Sequence, residues 1–277
     1  MNRSSIAVAS LIAALLVTSE ACRGSESQFT FNLLPKAFQG SPTLDTTVNT
    51  EMTPEGRLLR TPSPENPMAY VSLDAGFKPR GEAVGERPPA AELLEKAMKE
   101  SLAQSGYSQV SSPKDKPSIA ILFYFGSHNR MDPEQAALFP EVARRYEMER
   151  ARLIGGTTFL RRIANIQEFG EWLGDRTSDL EFLRYQAADD LYYVVASAYD
   201  FQALAQKQRR LLWRTTMTVN ANGVSMRESL PLLIATASPY FGRETEIPQI
   251  GKPRLRRWGV KVGEDKVIEY DVPLPKK

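Results

Sequence analysis

The sequence predicts an α+β domain: a two-layer sandwich on a mixed sheet of about four or five strands, with helices mainly on one face and a helical insertion. Three observations point there. Runs rich in β-branched and aromatic residues recur at 119–125, 191–199 and 210–220. Two segments, 90–104 and 225–237, repeat apolar residues at helical spacing. The two periods alternate along one chain, in the order strand, helix, strand, helices, strand, strand, helix, without an internal repeat.

Taken in order, 68–73 follows Pro67 as a first strand, and the Gly- and Pro-containing stretch 76–89 is loop. Pro88-Pro89 leads into a helix over 90–104, where Leu93, Leu94, Ala97, Met98 and Leu102 share a face and Gly106 follows its end. Ile119 to Phe125 is apolar without alternation, as in a strand buried on both sides, and Gly126 closes it. Helix is predicted over 132–152, restarting at Pro140 and stopped by Gly155-Gly156, then over 159–172 and 178–189. Together 132–189 make the insertion. Leu191 to Tyr199 and Arg210 to Asn220 should pair antiparallel. Ser225, with Glu228 three residues on, reads as a capping box opening the last helix. Residues 239–253 read as loop, and 259–272 as a terminal hairpin or edge strand.

The composition is that of an ordinary globular chain: 277 residues, 42% hydrophobic, 25% charged. Lys and Arg number 35 against 33 Asp and Glu, a formal +2, which gives no reason to expect nucleic acid as a partner. One cysteine and one histidine exclude zinc fingers, disulfide frameworks and iron–sulfur sites. No cofactor and no metal are expected.

The N-terminus reads as an export signal. Arg3 precedes the uncharged apolar run Ile6 to Val17, too short to span a bilayer. Ser19-Glu20-Ala21-Cys22 follows, with small residues placed for cleavage after Ala21. Residues 1–21 are then a signal peptide, and Cys22 becomes the first residue of the mature chain. Ala21-Cys22 matches the end of a bacterial lipoprotein box, in which the thiol carries a diacylglycerol, although Ser19 and Glu20 relax that pattern. The alternative is an ordinary secretory peptide that leaves Cys22 a free thiol. Arg23 at the next position, where Asp does not stand, suits the outer membrane facing the periplasm. Residues 22–67, with prolines at 35, 42, 54, 62, 64 and 67, read as an extended tether or surface loop, and 68–277 as the folded domain.

Several strings carry a resemblance. Tyr193-Val-Val-Ala-Ser-Ala-Tyr-Asp200, Leu211-Leu-Trp-Arg-Thr215, Ser229-Leu-Pro-Leu-Leu-Ile234 and Tyr240-Phe-Gly-Arg-Glu-Thr245 resemble uncharacterised exported proteins of environmental, verrucomicrobial-type bacteria. Leu33-Leu-Pro-Lys-Ala-Phe-Gln39, Thr50-Glu-Met-Thr-Pro-Glu-Gly-Arg57 and Phe125-Gly-Ser-His-Asn129 resemble the same group. The chain is also loosely similar to a bacterial lipoprotein family of unknown function. There a strand of the Pro-Asp-Leu-Val kind and a later Asp, linker, Leu-Val-Trp recur. Here Lys116-Pro-Ser-Ile-Ala120 and Asp200 with Leu212-Trp213 take those places, Ser118 standing where Asp is usual. The resemblance implies export, the fold and a non-catalytic envelope role, and brings no catalytic residue with it.

The residues that could carry chemistry are few. His128, just past a central strand with Ser127 beside it, is placed for general-base work, although no Gly-x-Ser-x-Gly elbow holds a nucleophile. Asp189, Asp190 and Asp200 flank the strand 191–199 and could form a carboxylate pair, but strand-end aspartates are more often caps. Gly155-Gly156-Thr157-Thr158 lacks the ending of a phosphate loop. Lys252, Arg254, Arg256, Arg257 and Lys261, around Trp258, form a candidate anionic-surface patch. Tyr192, Tyr193, Tyr199 and Trp213 read as core.

The reading is an exported protein of the cell envelope, lipid-anchored through Cys22 and non-enzymatic, binding a partner protein or envelope polymer. A soluble periplasmic or secreted form is the alternative location. The alternative function is an envelope hydrolase using His128 with Ser127, or Asp200.

Overall fold

A computed structural model describes residues 35–81, 87–110, 116–164 and 177–257. Seven strands form one mixed sheet: β1 (Thr46–Met52), β2 (Met68–Phe77), β3 (Tyr107–Gln109), β4 (Ile119–His128), β5 (Leu191–Asp200), β6 (Leu211–Asn220) and β7 (Gln249–Gly251). Their order across the sheet is β3-β2-β4-β5-β6-β1-β7. β2 runs parallel to β3 and β4, and the remaining neighbours are antiparallel. The helices are α1 (Pro54–Arg57), α2 (Ala91–Gln104), α3 (Pro133–Leu138), α4 (Pro140–Ala164), α5 (Thr177–Ala188), α6 (Phe201–Ala205) and α7 (Met226–Thr236).

Four or five strands is therefore an undercount. β3 and β7 have three residues each, too few to show a period. β1 escapes for a different reason. Its sequence, Thr-Thr-Val-Asn-Thr-Glu-Met, carries one aliphatic residue, Val48, yet Thr46, Thr47, Asn49 and Thr50 are all buried. The hydroxyls bring their own partners: Thr47 meets Thr218, Thr50 lies 2.8 Å from the Thr215 oxygen, and Thr50 also donates to the Tyr240 carbonyl at 2.9 Å. A satisfied hydroxyl is cheap to bury, so a threonine ladder replaces the alternating apolar pattern. With β1 in the sheet, the compact unit begins at Lys36, and the tether expected over 22–67 is corrected for 36–67.

β5 shows how the layers form. Tyr192, Val194, Ala196 and Ala198 point into the main core, with Leu94, Met98 and Leu102 of α2 and Leu230, Leu233 and Ile234 of α7. The alternate residues Leu191, Tyr193 and Val195 meet Ile154 and Leu153 of α4 and Leu183 of α5 on the opposite face. The expectation of two layers with helices mainly on one face is thus corrected to three layers where the insertion lies. The central strand was read as two-sided, and β4 is buried on both faces, but it continues past Gly126 to His128.

The predicted breaks are present. Asp132 caps α3, Pro140 opens α4, and Gly156 interrupts it at φ +66°, where Asn49 and Glu51 crowd the space a side chain would need. The Ser225–Glu228 capping box opens α7. The hairpin expected at 259–272 and the N-terminal signal lie outside the described residues, as does the helix expected over 159–172 beyond Ala164. Among the described residues no helix is long and apolar enough to cross a membrane.

Candidate functional site

The sequence candidates for catalysis do not converge. Neighbouring residues of a strand face opposite ways, so Ser127 and His128 lie on different faces of the sheet. Asp200 pairs with Ile119, whereas His128 pairs with Leu191 at the other end of the same ladder. Nine residues of strand separate the two levels, roughly 30 Å. Asp200 caps α6 by accepting from the Ala203 N–H at 2.9 Å. Asp189 accepts from the side chains of Asn220 and Asn222, and Asp190 accepts from the Arg130 N–H at 2.7 Å. Asp200 is thus a helix cap, whereas Asp189 and Asp190 each tie the start of β5 to a segment distant in sequence.

His128 is fully buried under α4, edge-on to Tyr146, with Nε2 3.4 Å from a Glu149 carboxylate oxygen. Burial lowers its pKa first, and the neighbouring Arg150 guanidinium adds to that; Glu149 opposes both without reversing them. Arg150 is itself buried and donates to the Ala187 carbonyl at 2.7 Å. The neutral imidazole is therefore the folded form. The unfolded chain binds a proton at its ordinary value of 6.5, so below 6.5 stability falls with falling pH, by at most about 1.4 kcal/mol per pH unit, until the lowered folded value is passed. Above that window the group adds no pH dependence. Urea unfolding between pH 7.5 and pH 5 should show a steeper acid loss for the wild type than for His128→Gln; equal slopes would contradict this placement.

The basic run divides. Lys252, Arg254 and Arg256 are exposed, and Lys252 lies over the Phe182 ring at 5.6 Å. Arg257 is a correction to the anionic-surface reading, because its guanidinium is spent inside the protein. Nη1 donates to the carbonyls of Lys36, Ala37 and Gln39 at 2.7, 2.9 and 3.2 Å. Nη2 donates to Gly223 O at 2.9 Å, and Nε to Glu228 at 3.2 Å. Burial alone would push the Glu228 carboxyl up, but the bonds from Ser225 and Arg257 hold it below the usual range. Cys22 and Lys261 lie outside the described residues.

A groove that the sequence reading missed lies at the end of β6. It measures about 580 Å³ and is lined by residues from β1, α1, the loop before β2, β3, β6 and the turn after α7. Trp213 and Tyr107 form its buried floor, ring centroids 5.9 Å apart. Gly242 crosses above them at φ +66°, where a Cβ would stand 2.1 Å from the Tyr107 oxygen. On the rim, Arg57 grips Glu244 through two bonds, Nε at 2.7 Å. Arg60 donates to the carbonyls of Asn66 and Pro67 at 2.6 and 2.8 Å, pinning its own loop. Arg243 makes no ion pair among the described residues. Three arginines against one glutamate give the lining a formal +2.

A signal for this groove was present. Two of the strings that carry the resemblance, Thr50 to Arg57 and Tyr240 to Thr245, are far apart in sequence and meet across it. Each lay in a stretch read as tether or loop, so nothing in the periodicity drew them together.

No family model matches the chain, and no curated protein matches it. Solved structures similar to it include the PelC dodecamer from Paraburkholderia phytofirmans, at 10% identity and a TM-score of 0.33, over 70% of this chain and 96% of that one. A PDZ domain protein from Parabacteroides distasonis ATCC 8503 is similar at 8% identity and a TM-score of 0.37, over 76% of this chain and 39% of that one. A DUF4136 family protein from Bacteroides thetaiotaomicron VPI-5482 is similar at 11% identity and a TM-score of 0.31, over 71% of this chain and 94% of that one. The verrucomicrobial tie read from the residue strings finds no counterpart among them.

Proposed function

We propose that the chain is an exported protein of the cell envelope, anchored by lipid on Cys22, and that its α+β body binds a partner protein or envelope polymer without catalysis. The observation that carries this reading is the apolar run Ile6 to Val17, followed after Thr18-Ser19-Glu20 by Ala21-Cys22. Arg23 supports a position on the outer membrane facing the periplasm. The thirteen residues 23–35 precede the compact unit.

The binding reading draws support from where the chemistry-bearing residues lie. His128 is closed off from solvent beneath α4, and Ser127 and Asp200 lie away from it, whereas the groove at Trp213 is open and carries positive charge. Fractionation of the native host tests the anchor. The wild-type chain should pellet with membranes and dissolve in detergent, and Cys22→Ser should move to the soluble periplasmic fraction. Wild-type protein found only in the soluble fraction, or a Cys22→Ser chain that stays with membranes like the wild type, would overturn it.

A further inference from the structure

The groove beside Trp213 combines features that select a ligand. Its walls are apolar where Met52 and Leu59 line it, and Leu59 is 37% exposed. Its volume, about 580 Å³, suits a small molecule in place of a protein surface. Its cations are not equivalent. Arg57 is committed to Glu244, and Arg60 to its own loop, which leaves Arg243 as the exposed guanidinium on the rim without an ion-pair partner among the described residues. Arg243 also follows Gly242, whose φ of +66° and close seat on the aromatic floor fix the turn that presents it.

We propose that this groove binds a small carboxylate with an apolar body, the carboxylate on Arg243 and the body against Met52 and Leu59. A guanidinium fork matches a carboxylate through two parallel bonds, the pairing that Arg57 and Glu244 already make on the same rim. The nearby Glu244 carboxylate disfavours a dianion such as a phosphate monoester, and the net positive lining disfavours a cation. The inference shares with the reading above only that the body binds without catalysis, adds a small ligand to the partner or polymer proposed there, and is independent of the Cys22 anchor.

Calorimetric titration of the purified mature protein, held in nanodiscs if it carries lipid and corrected for empty nanodiscs, tests it with octanoate as the probe. Saturable one-site binding is expected. Octylammonium should bind at least about tenfold more weakly, and Arg243→Gln should weaken octanoate by at least about tenfold, as loss of a charge-assisted bond requires. Arg256→Gln, an exposed charge elsewhere, should leave the affinity unchanged. Absence of saturable binding, equal binding of octylammonium, or an Arg243→Gln protein that folds and binds like the wild type would overturn the proposal while leaving the anchor standing. Turnover of an octanoate ester that vanishes in His128→Gln would instead sink the binding reading on which it rests.

Discussion

Trp213→Ala should destabilise the protein by about 3–5 kcal/mol, the cost of emptying a large aromatic site in a packed core. Trp213 is 1% exposed and stands on β6 with its ring 5.9 Å from Tyr107 and 6.1 Å from Phe241. The surroundings cannot easily collapse. β6 is held between β5 and β1, and Gly242 already sits against both rings. Trp213→Phe should cost less, because much of the ring volume is kept. Thermal unfolding followed by circular dichroism measures both. A loss below about 1 kcal/mol for Trp213→Ala would mean that the residue is not packed as described.

The second large effect belongs to Arg257. Removing its side chain should cost about 2–3 kcal/mol, in the range of charge-assisted hydrogen bonds. That one guanidinium ties three carbonyls of 36–39, the Gly223 carbonyl and Glu228 at the start of α7 into one cluster. It is 19% exposed, which keeps the expected loss below that of a fully buried charge. Arg256→Ala, one residue earlier and exposed, should stay within about 0.5 kcal/mol. Urea unfolding of the two variants makes the comparison. Equal and small effects would return Arg257 to the exposed basic run; the predicted inequality places it inside the fold.

Arg257 also shows where sequence reasoning stops. In sequence it sits among Lys252, Arg254 and Arg256 and looks like one more surface cation. Its role follows from carbonyls about 220 residues away, which no local pattern reports. β1 lacks the apolar pattern of a strand, because each of its threonines carries a hydrogen-bond partner into the core. Elements whose stability is local were legible. The apolar stripe of α2, the Ser225–Glu228 box and the Asp-Pro start of α3 are all written within a few residues.

The site followed the same division. Of the aspartates around β5, Asp200 is a cap, a short-range role, whereas the partners of Asp189 and Asp190 lie 31 to 60 residues away. The failure of His128, Ser127 and Asp200 to meet became plain only with the ladder register, which separates one end of β4 from the other. Arg57 and Arg243 were quoted among the resembling strings, yet they come together only because β1 lies beside β6 and the turn after α7 folds back over Trp213.

The central proposal is an envelope protein held by lipid on its first mature residue. The mass of the intact chain and of its N-terminal peptide, taken from membranes of the native host, tests it most directly. The result predicted is a chain that begins at Cys22 and carries a diacylglyceryl group on the thiol. An unmodified Cys22, or a chain that retains residues 1–21, would contradict it.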